Sequence, residues 1–224
     1  WTHGQYEVTF SGDVDFGTDS HIDFKDLKLR WFDCYLKGMK TAVREWDPVK
    51  IFTMGAGSQH RNSAGLLDHG GYWKSENDWP FPATDFVSYY LHGDSSLSTV
   101  KPRLGEDPTT TEYTFDPNDP VPTIGGGISA ADTILRPGAF DQRGRIDFHG
   151  CKDTLPLNNR RDVLSFETAP MERDVEVTGP VEMHLWASSS APDTDFTAKM
   201  IDVHPSSPDY PEGLSINITD SIIR

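Results

Sequence analysis

The run DVEVTGPVEMHLWASSSAPDTDFTAKMIDV, residues 174–203, decides the fold class of this chain. Apolar and polar residues alternate through most of it, and a period of two is typical of β-strands with one buried face. We expect the strand pairing to break at Gly179-Pro180, because proline has no backbone N–H to donate to a neighbouring strand. The pattern predicts neighbouring strands of one β-sandwich. Its predicted inward-facing side chains are Val175, Val177, Val181, Met183 and Leu185.

Further short runs of this kind lie on both sides of that segment. They are rich in β-branched and aromatic residues and are separated by Gly, Pro, Asn and Asp, as strands and turns are. The runs are 50–54, 85–91, 111–115, 162–166 and 214–218. Segment 116–127 holds too much Pro and Gly for a central strand and predicts an ordered loop across the sandwich surface. Many strands without intervening helices predict a mainly β fold, a sandwich or jelly roll.

One stretch has a helical period instead, SHIDFKDLKLRWFDCYLKG at 20–38. Its apolar stripe recurs at steps of three and four residues, at Phe24, Leu27, Trp31 and Tyr35. Ser20 and Asp23 resemble a capping box, and Gly38 sits where a left-handed C-cap is expected. The stretch predicts a single helix with the Trp31 and Tyr35 face buried. No other helix longer than about ten residues is expected after residue 47.

Length and charge exclude several classes of protein. The 224 residues suffice for one sizeable domain, or for a domain and the end of another. A net charge of -15 argues against nucleic acid or an anionic membrane as partner, since both require clustered Lys and Arg. No run of 18 apolar residues occurs, so no membrane span is expected in this part of the protein. Because the chain opens at Trp1, we expect it to be a piece of a longer protein, and no targeting signal can be assigned.

Cysteines and acidic pairs give no sign of a metal or cofactor. Cys34 and Cys151 are too few and too far apart for a disulfide framework or a zinc knuckle, and both are expected to be ordinary thiols. Asp193 and Asp195 flank one residue, but no His or Glu lies at a supporting offset, so a solvated turn is the favoured interpretation. The sequon at Asn217 is interpreted as a strand or turn triplet. The histidines after position 3 are scattered among turns and strand ends and receive no role.

A nucleophilic serine is also missing from its usual setting. Hydrolases on an α/β sheet hold it in a Gly-x-Ser-x-Gly elbow between a strand and a helix. The nearest match surrounds Ser129, in GISAA at 127–131. It comes after a Pro/Gly loop, however, and no amphipathic helix is predicted after it. A catalytic Ser129 is therefore disfavoured.

His3 differs from the other histidines in the order of the elements after it. A loop comes first, then the amphipathic helix, then a strand-rich region. In α/β-hydrolases the catalytic residues run Ser, Asp or Glu, then His along the chain, with the histidine on a late loop. Position 3 fits that place.

Several motifs together resemble one family. They are WTHG at 1–4, LRWFDCYLKG at 29–38, PVKIFTMG at 48–55, HGGYWKSENDWP at 69–80, GAFDQR at 138–143, the run at 164–205 and INITDSIIR at 216–224. This combination is similar to the CocE/NonD group of serine hydrolases, which comprises cocaine esterases, α-amino-acid ester hydrolases, glutaryl-cephalosporin acylases and, more distantly, X-Pro dipeptidyl peptidases. The resemblance covers nearly the whole chain.

The resemblance implies both an architecture and a chemistry. Residues 1–46 would be the C-terminal end of an α/β-hydrolase domain, and residues 47–224 a galactose-binding-like jelly roll that is truncated at its C-terminus. His3 matches the general base of the family's triad, with the nucleophilic serine and the acid upstream of Trp1. The substrate would be a small ester or amide and no cofactor is implied; a homo-oligomeric assembly is left open.

A second hypothesis comes from a different class of protein. A non-catalytic β-sandwich could bind carbohydrate or a partner protein through exposed aromatic side chains. The candidates are Tyr72, Trp73, Trp79 and Phe81. Aromatic residues in a sandwich are more often part of the core, which favours the hydrolase.

Overall fold

The regular structure of the chain is mainly β. A computed structural model describes residues 7–55, 57–103, 105, 110–127 and 134–223. Within these ranges the strands are β1 Phe10–Ser11, β2 Val14–Asp15, β3 Val49–Met54, β4 Leu67–Asp68, β5 Gly71–Glu76, β6 Tyr90–Leu91, β7 Leu97–Ser98, β8 Phe196–His204 and β9 Leu214–Ile223. The α-helix is α1, Phe24–Lys37, and short 3-10 turns cover Thr18–Ser20, Ala42–Glu45 and Leu157–Asn159. The described part therefore has no long helix after residue 47, as predicted.

The strands form four small sheets. β2 lies in the middle of the first, antiparallel to β1 and parallel to β4. β3 pairs antiparallel with β5, and β6 with β7. The longest pair is β8 with β9, in which a bulge shifts the register between Met200 and Ile201.

Three of the predicted strands are confirmed. Segment 50–54 lies in β3, segment 214–218 lies in β9, and the end of the run 174–203, from residue 196 onward, lies in β8. Each is rich in apolar and β-branched residues and has a partner strand, so its backbone hydrogen bonds are satisfied by a neighbour.

The helix is confirmed, with shifted ends. Asp23 is its N-cap, because the Asp23 carboxylate accepts a hydrogen bond from the backbone N–H of Asp26 at 2.9 Å. Ser20 does not cap it: its hydroxyl donates to the Gly17 carbonyl within a separate turn. Gly38 closes the helix in the left-handed conformation with φ 67°, as predicted.

The predicted burial of the helix face is wrong. Trp31 is 46% and Tyr35 53% exposed, whereas Cys34 is buried at 1%. The two rings contact each other at a tilt of 45°, with 4.4 Å between their centroids. Within the described residues the helix packs on the turn Ala42–Glu45, from which Arg44 reaches the Tyr35 ring, and most of the aromatic stripe stays exposed.

The prediction for residues 174–189 is also wrong. None of them pairs with a strand in the described part of the chain. The five side chains predicted to face inward are between 50% and 58% exposed. Side chains anchor this segment instead, since Glu176 accepts hydrogen bonds from Tyr72 Oη at 2.9 Å and Lys74 Nζ at 2.8 Å. Alternating apolar and polar residues favour a strand, but a strand forms a hydrogen-bonded ladder only where a partner backbone lies beside it.

Other predicted strands are shorter than expected or absent. Of 85–91 only Tyr90–Leu91 is a strand, and 111–115 contains none. Segment 162–166 has no strand, although the adjoining Glu167 bridges to Ser96.

The larger of the two hydrophobic clusters in the described part of the chain joins segments that are distant in sequence. Val14, Phe16, Leu67, Ala139 and Ile216 form it. It crosses residue 46, since Val14 in β2 pairs with Leu67 in β4. The parts before and after residue 46 therefore share a packed interior.

The second cluster contains the end of the predicted loop. Ile124 is fully buried with Phe140, Phe148 and Leu157. Segment 116–127 has no helix or extended strand, as predicted, yet it enters the interior at Ile124 instead of staying on the surface. No helix among the described residues has the length and apolar character needed to cross a bilayer.

Candidate functional site

Of the site residues considered from the sequence, some lie among the described residues and some do not. His3 and Ser129 both lie outside the described residues. Asp193 and Asp195 are exposed in the segment that leads into β8. Cys34 and Cys151 are free thiols, as expected. The described residues therefore contain no part of the predicted triad.

A different set of side chains comes together beside the larger core cluster. His69, Asp202 and His204 each offer one ligand-type atom, and these atoms all lie within 4.8 Å of one another. Asp202 Oδ2 is 3.2 Å from His204 Nε2 and 3.9 Å from His69 Nε2. The two imidazoles meet edge to face, with 6.1 Å between ring centroids.

The backbone fixes His69 at the turn between β4 and β5. Its N–H donates to the Asp15 carbonyl at 2.9 Å, and its own carbonyl accepts from Gly57 N at 2.6 Å. The Phe16 ring packs edge to face against the imidazole at 6.0 Å. His69 is thus held from both sides and is only 5% exposed.

Strand β8 places the other two side chains. Asp202 and His204 are two residues apart, so they project from the same face of the strand. They lie opposite Ile216 and Leu214 of β9, and directly paired residues of an antiparallel ladder share a face. Because Ile216 belongs to the larger core cluster, this face is the one that approaches His69.

The electrostatics of the group are dominated by the single carboxylate. The His204 and His69 imidazoles hold the pKa of Asp202 well below its ordinary value, against the opposing effect of burial. Asp202 is 48% exposed and His204 17%, so the group opens to solvent on the Asp202 side.

The hydrogen bonding of the two imidazoles is incomplete. His204 Nε2 is buried and lies 3.2 Å from Asp202 Oδ2, but this contact does not have the geometry of a hydrogen bond. His69 Nδ1 is likewise buried without a partner. Two imidazoles and a carboxylate arranged in this way can pair as ions or can share a bound cation.

Sequence reasoning missed this group for a physical reason. His69 lies far along the chain from β8, and only the tertiary packing of the turn on the β8–β9 hairpin joins them. The one local signal is Asp202-Val203-His204, in which a period of two places both functional side chains on one face.

A second polar cluster has its charges already paired. Arg145 contacts the Asp13 carboxylate, and Arg143 contacts Glu212 at 2.5 Å. Burial raises the pKa of Asp141 beside them, which opposes its ionisation. We regard this cluster as structural.

The aromatic residues proposed for sugar binding do not form a platform. Phe81 is buried at 6%, and its ring meets Trp79 edge to face at 85°. Trp73 donates from Nε1 to the Asp19 carbonyl and packs against Phe52. Stacking on a sugar requires exposed faces, and of the four only Tyr72 and Trp79 are strongly exposed.

Comparison with known proteins identifies relatives among esterases. Over 237 aligned residues, covering 100% of this chain and 34% of the relative, it is 33% identical to "Cocaine esterase" of Rhodococcus sp. (strain MB1 Bresler). It is 30% identical over 177 residues to "Putative serine esterase Mb1866c" of Mycobacterium bovis (strain ATCC BAA-935 / AF2122/97), covering 79% of this chain and 23% of that protein. The chain thus spans about a third or less of the length of these relatives. No solved structure matches it.

A family model matches most of the chain. It is described as the X-Pro dipeptidyl-peptidase C-terminal non-catalytic domain and covers residues 42–224. Together with the esterase relatives, this match confirms the resemblance to the C-terminal part of CocE-like and X-Pro-peptidase-like hydrolases. The chain belongs to the family of the X-Pro dipeptidyl-peptidase C-terminal non-catalytic domain.

Proposed function

We propose that the complete protein containing this chain is a serine hydrolase that cleaves a small ester or amide by acyl transfer. A serine upstream of Trp1 attacks the substrate carbonyl, while His3 takes its proton as general base. His3 then returns the proton to the leaving group, and water hydrolyses the acyl-enzyme. An upstream carboxylate holds the His3 imidazole in the required tautomer.

One observation carries this proposal: the 33% identity to a cocaine esterase extends over the whole chain, including the segment around His3. The family match supports the same assignment in another way. It begins at residue 42 and is described as non-catalytic, so it leaves the proposed base outside the matched residues.

The proposal assigns the two parts of the chain to different domains. Residues 1–46 complete an α/β-hydrolase domain, and residues 47–224 belong to a galactose-binding-like jelly roll that extends beyond the given C-terminus. The β-rich structure and the family match support the second part. The core shared by Val14 and Leu67 means that the two parts would meet across a packed interior, which suits a domain that holds the hydrolase part in place.

Active-site labelling tests this function. A fluorophosphonate reacts with a serine hydroxyl only where a neighbouring base activates it. We expect the complete protein to take up the label at one serine outside residues 1–224, and the chain of residues 1–224 alone to take up none. The label is located by mass spectrometry of peptides. A label on Ser129, or no label on the complete protein, would contradict the proposal.

A further inference from the structure

We propose that His69, Asp202 and His204 form a binding site for a divalent transition-metal ion, and that Zn²⁺ fits it best. The ion would join the β4–β5 turn to strand β8. The proposal does not depend on the acyl-transfer chemistry, because it rests only on the positions and chemistry of these three side chains.

The distances approach those between ligands that share one ion. Zinc binds imidazole nitrogen and carboxylate oxygen at about 2.0–2.2 Å, and tetrahedral angles then place the ligand atoms about 3.3 Å apart. Asp202 Oδ2 lies 3.2 Å from His204 Nε2 and 3.9 Å from His69 Nε2. All three ligand-type atoms lie within 4.8 Å of one another, so the ion would draw them closer by rotation of the side chains.

The unsatisfied nitrogens also point to a ligand. Buried polar groups in folded proteins almost always have a hydrogen-bond partner. His204 Nε2 is buried and makes no hydrogen bond of acceptable geometry, although it lies 3.2 Å from Asp202 Oδ2. His69 turns its Nε2 towards the same carboxylate at 3.9 Å, beyond hydrogen-bond distance. A metal ion beside Asp202 would engage the lone pair of each Nε2.

The ligand types decide which ion is suitable. Two imidazoles and one carboxylate, with a further position open to water, are a common zinc set, whereas Ca²⁺ and Mg²⁺ prefer oxygen ligands. The half-exposed Asp202 provides an entry path from solvent. A doubly charged cation on a single carboxylate leaves a net positive site, which the overall charge of -15 favours.

Metal titration of the complete protein tests the proposal. After treatment with a chelator and its removal, ZnCl₂ is added in a calorimeter, and CoCl₂ is added in parallel while visible absorption is recorded. We expect one Zn²⁺ site, a rise in the melting temperature with Zn²⁺, and intense cobalt bands of low-coordinate geometry. Loss of a group that merely supports a metal ligand weakens binding by about 10–100-fold, so Asp202→Asn and His204→Gln, which remove ligands, should weaken it at least as much.

Matched variants separate this site from general binding by surface histidines. His60 contacts Asp209 at 3.0 Å and His184 lies 3.4 Å from Glu182, and both are exposed histidine–carboxylate pairs. His60→Gln and His184→Gln should leave the zinc titration unchanged. Circular dichroism of each variant without metal confirms that it is folded. If the unaltered protein binds no Zn²⁺, or if folded Asp202→Asn binds it as tightly, the three residues are an ion-pair network and the proposal is wrong.

Discussion

Asn217 shows how far a single residue can depart from its sequence motif. It opens the sequon Asn217-Ile218-Thr219 but lies within β9 and is completely buried. Its side-chain oxygen accepts a hydrogen bond from the backbone N–H of Phe140 at 2.9 Å. The side chain thus ties β9 to the segment that carries Phe140, and in the folded protein it is closed to modification. The sequence favours a strand at this triplet, but it does not indicate that Phe140 is the hydrogen-bond partner of the Asn217 side chain.

Replacing Asn217 tests this role. Asn217→Ala removes the acceptor and leaves the buried Phe140 N–H without one, which costs about 1–3 kcal/mol of folding free energy. The measurement is urea unfolding followed by circular dichroism. Asn118→Ala is the control, because Asn118 is exposed and bonds to the nearby Asp116, so it should change stability by less than about 0.5 kcal/mol. Equal stabilities of the two variants would mean that the Phe140 hydrogen bond has no net value.

At the scale of elements, the sequence predicts those with a strong local period or clear capping signals. Helix α1 and strands β3, β8 and β9 follow from period and capping signals. Segment 174–189 alternates as clearly as β8, yet no described strand pairs with its backbone, and Glu176 meets β5 through side chains instead. The candidate metal site could not be predicted for the same reason, since it depends on a turn packing on a distant strand. The local sequence pattern predicts which secondary structure a segment favours, and tertiary contacts decide which secondary structure it adopts.

Comparing alanine substitutions at two glycines distinguishes the stability cost of backbone strain from the cost of overpacking. Gly12 and Gly38 have nearly the same positive φ, +65° and +67°, so an alanine at either costs about 1–2 kcal/mol of backbone strain. A Cβ on Gly12 would lie 2.7 Å from the Ala139 carbonyl carbon, whereas nothing lies within 4 Å of one on Gly38. Gly12→Ala should therefore cost about 1–3 kcal/mol more than Gly38→Ala, from overpacking. Thermal unfolding of both variants measures the difference, and equal melting temperatures would argue against close contact between β1–β2 and Ala139.

For the whole molecule, the central feature is a core that crosses the predicted domain boundary. Val14 and Phe16 pack with Leu67, Ala139 and Ile216, so the segment after His3 is built into the β-rich part. The sequence predicted a β-rich chain and its family, because both rest on motifs spread over its length. It could not predict the exposure of the α1 stripe, because burial depends on which surfaces meet and periodicity does not specify them.

The turnover of the complete protein with His3 replaced tests the central claim most directly. If His3 is the general base, His3→Ala should lower kcat for an activated phenyl ester by about 10³–10⁶-fold, as for loss of one member of a cooperating triad. His21→Ala is the matched control, since His21 is an exposed histidine before α1 and should retain full kcat. The measurement is the steady-state rate of phenolate release for both variants and the unaltered protein. A folded His3→Ala protein with unchanged kcat would contradict the account.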